Sequence, residues 1–304
     1  MLPQAPQIWA NSFHNPLQAN ANTAGRSTRT SPSVVLSSVL QIRTKLASIP
    51  RHRRIKSWVA LALSFAAGFA DIVGALTIYD LFTAHISGTS VRLAQHLAER
   101  SWRASALAII IVVAFFLGSL LGRVLIEAAQ RRGFKRVASV TLALEVLFLL
   151  VVIGFGNWSA AQDALKTFST IAALLAILAA SMGLQTASLT KIGPLTVHTT
   201  FVTGMINKLA QLVSLWLFGT HDLHFGYNPK SNENLQREVG KNARQIRFFF
   251  SLWLLYSGGA ACGTFSAHAH QFNAFYYPCA ILLAVVLVDQ VRPLSIEEEQ
   301  EQVE

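Results

Sequence analysis

Two carboxylates and one amide stand where apolar sequence surrounds them: Asp71 in "GFADIVGAL", Glu145 in "LALEVLF" and Gln185 in "SMGLQTAS". An acid near the centre of a membrane helix costs about 2.5–3.5 kcal/mol on insertion scales. Such a group is expected to face the bundle interior, where it can bind a solute or carry a proton. A second chemical signal is a sentence written twice. "TAHISGTSVRLAQHL" begins at Thr83 and "TTFVTGMINKLAQLV" begins at Thr199, with five of fifteen positions identical. Each copy is predicted to run from an extended stretch, through Ser/Thr-Gly, into a short helix. Ser87 and Thr203 are suited to start those helices, because a hydroxyl can accept a hydrogen bond from a first-turn amide. Gly88 and Gly204 let a ligand or backbone approach closely. The positive ends of such helices favour anions and carboxylates.

His85 and Thr200 belong to the same two stretches and complete the candidate set: Asp71, His85, Ser87, Gly88, Gln185, Thr200, Thr203 and Gly204. Aligning Gly68 with Gly183 brings Asp71 and Gln185 to within one position of each other, so they are expected to form an acid–amide pair along a solute path. His85 and His198 are not equivalent, since the partner of His85 is Phe201, and no metal site is expected. His268 and His270 in "AHAHQ" are assigned to a short external turn.

The elements that position these residues are transmembrane helices. The 304-residue chain is 52% hydrophobic and 13% charged, about half the charge of soluble domains. Six stretches approach the roughly 20 apolar residues that a spanning helix needs: Trp58–Tyr79, Ala104–Gly122, Val137–Gly156, Phe168–Thr190, Phe248–Phe265 and Phe272–Val288. Lys/Arg-rich connections stay in the cytoplasm. "RHRRIK", residues 123–136 and residues 230–247 fall on one side if all six stretches cross. Six spans divide into two three-span halves of opposite orientation, 57–156 and 167–291, so the repeated sentence occurs once on each side. The expected fold is therefore an all-α integral membrane protein with two inverted repeats, each holding a discontinuous, re-entrant half-helix. Broken helices related in this way recur in solute sites near the bilayer midplane. Whether 203–219 crosses fully is left open by its composition.

The tails carry separate signals. Residues 1–56 hold eight of the 25 Lys/Arg and none of the 15 Asp/Glu, leaving the rest of the chain near neutral. This segment is expected to be a disordered basic tail, able to attract anionic lipid headgroups. Its acid-free, Arg- and Ser-rich composition also matches an organellar transit peptide; otherwise the cell membrane is the expected location. Residues 292–304 form an acidic tail assigned to the cytoplasm. The basic pI reports one tail, and nucleic acid is not an expected partner. Cys262 and Cys279 lack framework spacing and are expected to be free. Gly118 and Gly122 match Gly-x-x-x-Gly, which serves helix packing or a homo-oligomer contact. No His-Glu-x-x-His, Walker loop or Gly-x-Ser-x-Gly is present, so neither enzyme activity nor a cofactor is expected.

"GFADIVGALTIYDLFTAHISGT" and "GLQTASLTKIGPLTVHTTFVTG" resemble the two signature stretches of the YoaK-like family, membrane proteins with a domain of unknown function. The resemblance covers about residues 57–290. The family pattern corresponds here to Gly68, Asp71, Phe82, Ala84-His85 and Ser87-Gly88, then to Gly183-Leu184-Gln185 and the Thr-rich run ending in Thr203-Gly204. Thr89 departs from it, standing where the family usually has Asn. The resemblance implies a polytopic membrane protein, often supposed to be a transporter, with no settled substrate. A carrier of a small polar or anionic solute is the expectation; a non-transporting membrane scaffold or sensor is the alternative.

Overall fold

In a computed structural model the described residues are 51–134, 136–188, 191–192, 195–196, 200–225 and 232–291. The expected tail disorder over 1–50, His198, and the acidic tail 292–304 lie outside them. Eight α-helices account for nearly all of the described residues: α1 (Arg51–Thr77), α2 (Ile86–Ala98), α3 (Trp102–Arg131), α4 (Val137–Ala161), α5 (Phe168–Ser188), α6 (Val202–Phe225), α7 (Asn232–His270) and α8 (Tyr276–Val291). A two-residue ladder pairs Lys191 with Thr196 and Ile192 with Leu195. Five segments are long and apolar enough to cross a membrane: Arg54–Thr77, Trp102–Arg131, Ala138–Ala161, Phe168–Ser188 and Glu233–Val291. The fifth contains two helices, because α7 stops at His270 and the 3₁₀ turn Gln271–Phe275 precedes α8. Gln271 adopts a left-handed φ of 48° at that break.

Contacts between helices fix their relative directions. Gly74 meets Leu178 and the Gln185 amide reaches the Leu63 carbonyl, so α1 and α5 are antiparallel. Gly118 lies on Ala180 and Gly122 on Leu184 and Ala187, so α3 runs parallel to α5. Gly259 lies on Phe65 and Gly263 on Phe69 and Ile72, so α7 runs parallel to α1. Ser139 meets Asp289 while Asn157 meets Asn273, which makes α4 and α8 antiparallel.

The two parallel pairs match contact for contact. A Cβ on Gly68 would strike the carbonyl oxygen of Tyr256 and press on the Ala260 nitrogen. One on Gly183 would strike the Phe115 carbonyl oxygen and press on the Ser119 nitrogen. Phe65, Gly68, Phe69 and Ile72 stand to Ala180, Gly183, Leu184 and Ala187 at a constant spacing of 115 residues. Phe115, Gly118, Ser119 and Gly122 stand to Tyr256, Gly259, Ala260 and Gly263 at a constant spacing of 141. Backbone meets backbone at Gly68, Gly118, Gly183 and Gly259, and small side-chain groups fill the contact at Gly122 and Gly263, the packing that small residues permit between membrane helices. The Gly118–Gly122 pair is thus used inside the chain, against α5. A core of Leu63, Val73, Leu142, Leu149, Leu174, Leu178, Met182, Leu252, Phe272 and Phe275 fills the space between the pairs. Large apolar residues on the outer faces, Trp58, Phe116, Leu117 and Val124 among them, are exposed as a lipid solvent requires.

Several expected boundaries move. Residues 51–56, assigned to the tail, already form the first turns of α1. Residues 232–247, assigned to a loop, are the polar start of α7, whose 39 residues extend about 58 Å. His268 and His270 end that helix instead of occupying a turn. The second copy of the repeated sentence opens a 24-residue helix, not a short one, which continues to Phe225 and lays Gly219 against Val239 of α7. The Lys/Arg count in 232–247 reads as a connection, but its spacing also suits a helix with one face covered by α6.

The glycine contacts predict that Gly68→Ala and Gly183→Ala each lower the stability of the solubilised protein by about 1–3 kcal/mol through overpacking. Gly88→Ala, where an added Cβ meets nothing within 4 Å, is expected to change it by less than about 0.5 kcal/mol. Thermal unfolding in detergent followed by a thiol-independent probe checks the contrast.

Candidate functional site

Asp71 is the hub of the first site. It lies on α1 with 1% of its surface exposed. Its Oδ1 accepts hydrogen bonds from the backbone N–H of Thr83 (2.8 Å), the N–H of Ala84 (2.8 Å) and the Thr83 hydroxyl (3.1 Å). Its Oδ2 lies 2.7 Å from His85 Nδ1 and accepts from the Tyr256 hydroxyl at 3.3 Å. After α1 ends at Thr77 the chain therefore doubles back, by more than a turn, to meet Asp71 before α2 begins. A carboxylate receiving this many donors is held as an acceptor. It also places a negative charge just ahead of the amino end of α2, where the helix dipole favours one.

The residues around the hub hold it in place. His85 sits edge-on to Phe82 (5.4 Å between ring centres) and to Tyr256 (5.7 Å). The Thr89 hydroxyl donates to the Phe82 carbonyl at 2.9 Å and closes the turn from the helix side. A hydroxyl donor suffices for that bond, so Thr89 can stand where the family pattern has Asn. His85 is half-buried, and its pKa is raised above the ordinary 6.5, chiefly by the hydrogen bond to Asp71, with burial opposing.

The second site has the same plan with neutral chemistry. The Thr186 hydroxyl, near the end of α5, lies 2.7 Å from that of Thr200. Thr186 stands to Asp71 at the same 115-residue spacing as the glycines, and Thr200 precedes α6 as Ala84 precedes α2. The backbone repeats too: the His85 carbonyl accepts from Thr89 N–H at 3.0 Å and the Phe201 carbonyl from Met205 N–H at 3.1 Å. The Phe115 backbone meets Gly183 as the Tyr256 backbone meets Gly68, so the residue equivalent to Tyr256 carries no hydroxyl.

Three expectations change at this point. Ser87 and Thr203 do not cap the helices; each lies one residue inside a helix that starts at Ile86 or Val202, and both are exposed. Gly88 is open, whereas a Cβ on Gly204 would strike the Phe201 ring. Asp71 and Gln185 are not a contacting pair. Gln185 Nε2 donates to the Leu63 carbonyl at 3.1 Å, eight residues and so about 12 Å along α1 from Asp71. Gln185 is 1% exposed, and its Oε1 has no hydrogen-bond partner among the described residues. The same holds for the Ser181 hydroxyl one turn earlier on α5. Thr83, Thr186 and Tyr256 were not singled out from the sequence. The spacing from Gly68 to Asp71, repeated from Gly183 to Thr186, is the signal that could have found Thr186. No group of three or more His, Cys, Asp or Glu is arranged for a metal among the described residues.

Removing the hub acid leaves buried donors unpaired, a change that costs about 3–5 kcal/mol for a broken buried charge pair. Asp71→Ala is therefore expected to destabilise the fold by that order, and Thr186→Ala by about 1 kcal/mol. Because the folded-state pKa of His85 is raised, its contribution to stability is complete below about 6.5 and is lost as pH rises through the raised value. Melting temperature measured against pH should fall more steeply above 6.5 in the wild-type protein than in His85→Gln.

Comparison with known proteins places the chain among membrane proteins. The family described as protein of unknown function (DUF1275) matches residues 59–288. The UPF0700 transmembrane protein YoaK of Bacillus subtilis (strain 168) is 24% identical over 158 residues, which span 51% of this chain and 66% of that protein. No solved structure matches.

Proposed function

The chain belongs to the DUF1275 family, and from that membership and the buried polar groups we propose that it is a secondary transporter, or channel-like carrier, of a small polar or anionic solute. It is an integral, multi-pass membrane protein of that YoaK-like family. In this reading six helices cross, α1, α3, α4, α5, α7 and α8, and the two halves are inverted repeats. The antiparallel course of α1 and α5 and the matched glycine contacts support that arrangement. The segments before α2 and α6 then dip back toward the midplane from opposite faces, held by Asp71 on one side and Thr186 on the other.

The observation that carries the reading is the Gln185 carbonyl oxygen, buried in the bundle with no hydrogen-bond partner among the described residues, one turn from the Ser181 hydroxyl, which has none there either. A buried polar atom without a hydrogen bond costs about 1–3 kcal/mol, and such a group in a native protein calls for an explanation, which a bound solute would supply. Gln185 and Ser181 offer hydrogen bonds to a polar solute. The start of α6, next to Thr186 and Thr200 and free of a neighbouring acid, favours an anionic group. The start of α2 does not, because Asp71 already supplies the negative charge there. No catalytic step and no cofactor belong to this reading.

The alternative, a scaffold or sensor without flux, is favoured by the saturation of Asp71, whose acceptors are all engaged in holding the chain. A proteoliposome flux screen separates the two. Flux of a polar or anionic solute that falls at least about tenfold in Gln185→Leu, with folding intact, supports the carrier. Absence of flux for every solute class in well-folded protein rules it out. In a Cys262→Ser background, Gly88→Cys and Thr203→Cys are expected to react with small aqueous thiol reagents; unreactive positions favour the scaffold.

A further inference from the structure

Glu145 has no part in either site, yet it is buried inside the bundle, as Asp71 and Asp289 are. It lies eight residues into α4, 1% exposed, and its Oε2 has no hydrogen-bond partner among the described residues. The helices packed on α4 are α3, α5 and α8, and none brings a cation to it among the described residues. α5 carries no titratable side chain at all. The charged residues of α3 in its second half, Arg123, Glu127 and Arg131, are exposed. On α8, Cys279 is buried, while Asp289 is held by the backbone and hydroxyl of Ser139. The 3₁₀ turn 271–275 is free of ionisable groups, and Lys166 in the turn before α5 is exposed on its own ion pair with Asp163. An ionised carboxylate in such a place carries an uncompensated charge, at a cost of several kcal/mol, whereas the neutral acid removes it.

Asp71 is the opposite case. Two backbone amides and the Thr83 hydroxyl converge on its Oδ1, and the His85 ring and the Tyr256 hydroxyl on its Oδ2, so both oxygens are engaged within the fold. We infer that Glu145, and not Asp71, is the proton-carrying acid of the bundle: the buried state holds –COOH, and opening the bundle to water releases H⁺ and leaves –COO⁻ until a proton returns. The inference rests on the carrier reading only for its use, as the site of the coupling ion; the proton site itself is a property of α4 and its neighbours.

Infrared difference spectroscopy of the full chain in lipid bilayers tests it. Wild-type protein at neutral pH should show the C=O band of a protonated carboxylic acid in an apolar environment. Glu145→Gln should lack that band, and Asp71→Asn should keep it. If Glu145→Gln does not fold, Glu145→Asp should move the band. Transfer to D₂O should shift it, because a site that exchanges protons with water must open. Absence of the band in wild type, its survival in Glu145→Gln, an unmoved band in Glu145→Asp or no shift in D₂O would each overturn the assignment. A band that meets every criterion in a protein without solute flux keeps the proton site and removes the carrier.

Discussion

The hydrogen bonds that converge on Asp71 are the constraint from which the first half of the molecule takes its form. A carboxylate inside the bundle can remain an ion only if polar donors surround it. Here the donors come from the stretch that follows its own helix, the backbone of Thr83 and Ala84, and from Tyr256 on α7. Satisfying the acid therefore pulls the chain back beside α1, sets where α2 can begin and fixes α7 against α1. The glycine at position 68 makes this geometry accessible, because it removes the side chain that would hold the two backbones apart.

The second half keeps the backbone of this design and replaces its charge. Thr186 and Thr200 join through hydroxyls, which cost less to bury than an ion and hold less tightly. What remains unsatisfied on that side is the Gln185 carbonyl and the Ser181 hydroxyl. One end of the bundle is thus electrostatically closed on itself, and the other retains polar capacity. The two ends thus differ in chemistry within one shared plan.

The sequence disclosed the parts of this organisation that hydropathy and identity carry. The apolar runs placed α4 and α5 to within about five residues at each end, because lipid-facing and core-facing residues are both apolar there, while α1 begins seven residues before its run and α3 continues nine beyond it. The repeated sentence placed the starts of α2 and α6 to within one residue of Ser87 and Thr203. Thr186 escaped notice because a lone hydroxyl in a membrane helix is unremarkable, whereas Gln185 beside it drew attention by its amide. The length of α6 and the polar half of α7 were hidden for another reason: each is too polar to read as a span alone, and they cover one another, with Gly219 on Val239. Tyr256 was beyond reach, since only the α1–α7 contact brings it to an acid 185 residues earlier.

The glycine contacts join α1 to α7 and α3 to α5, and each such pair takes one helix from either half of the sequence. Where backbones come this close, with little side chain between them to swing aside, parting the helices costs the packing of the whole seam. A hinge that separated residues 57–156 from 167–291 would have to tear both seams at once. Any large rearrangement of this bundle is therefore a rocking of the α1–α7 unit against the α3–α5 unit, with the covalent halves interlocked throughout.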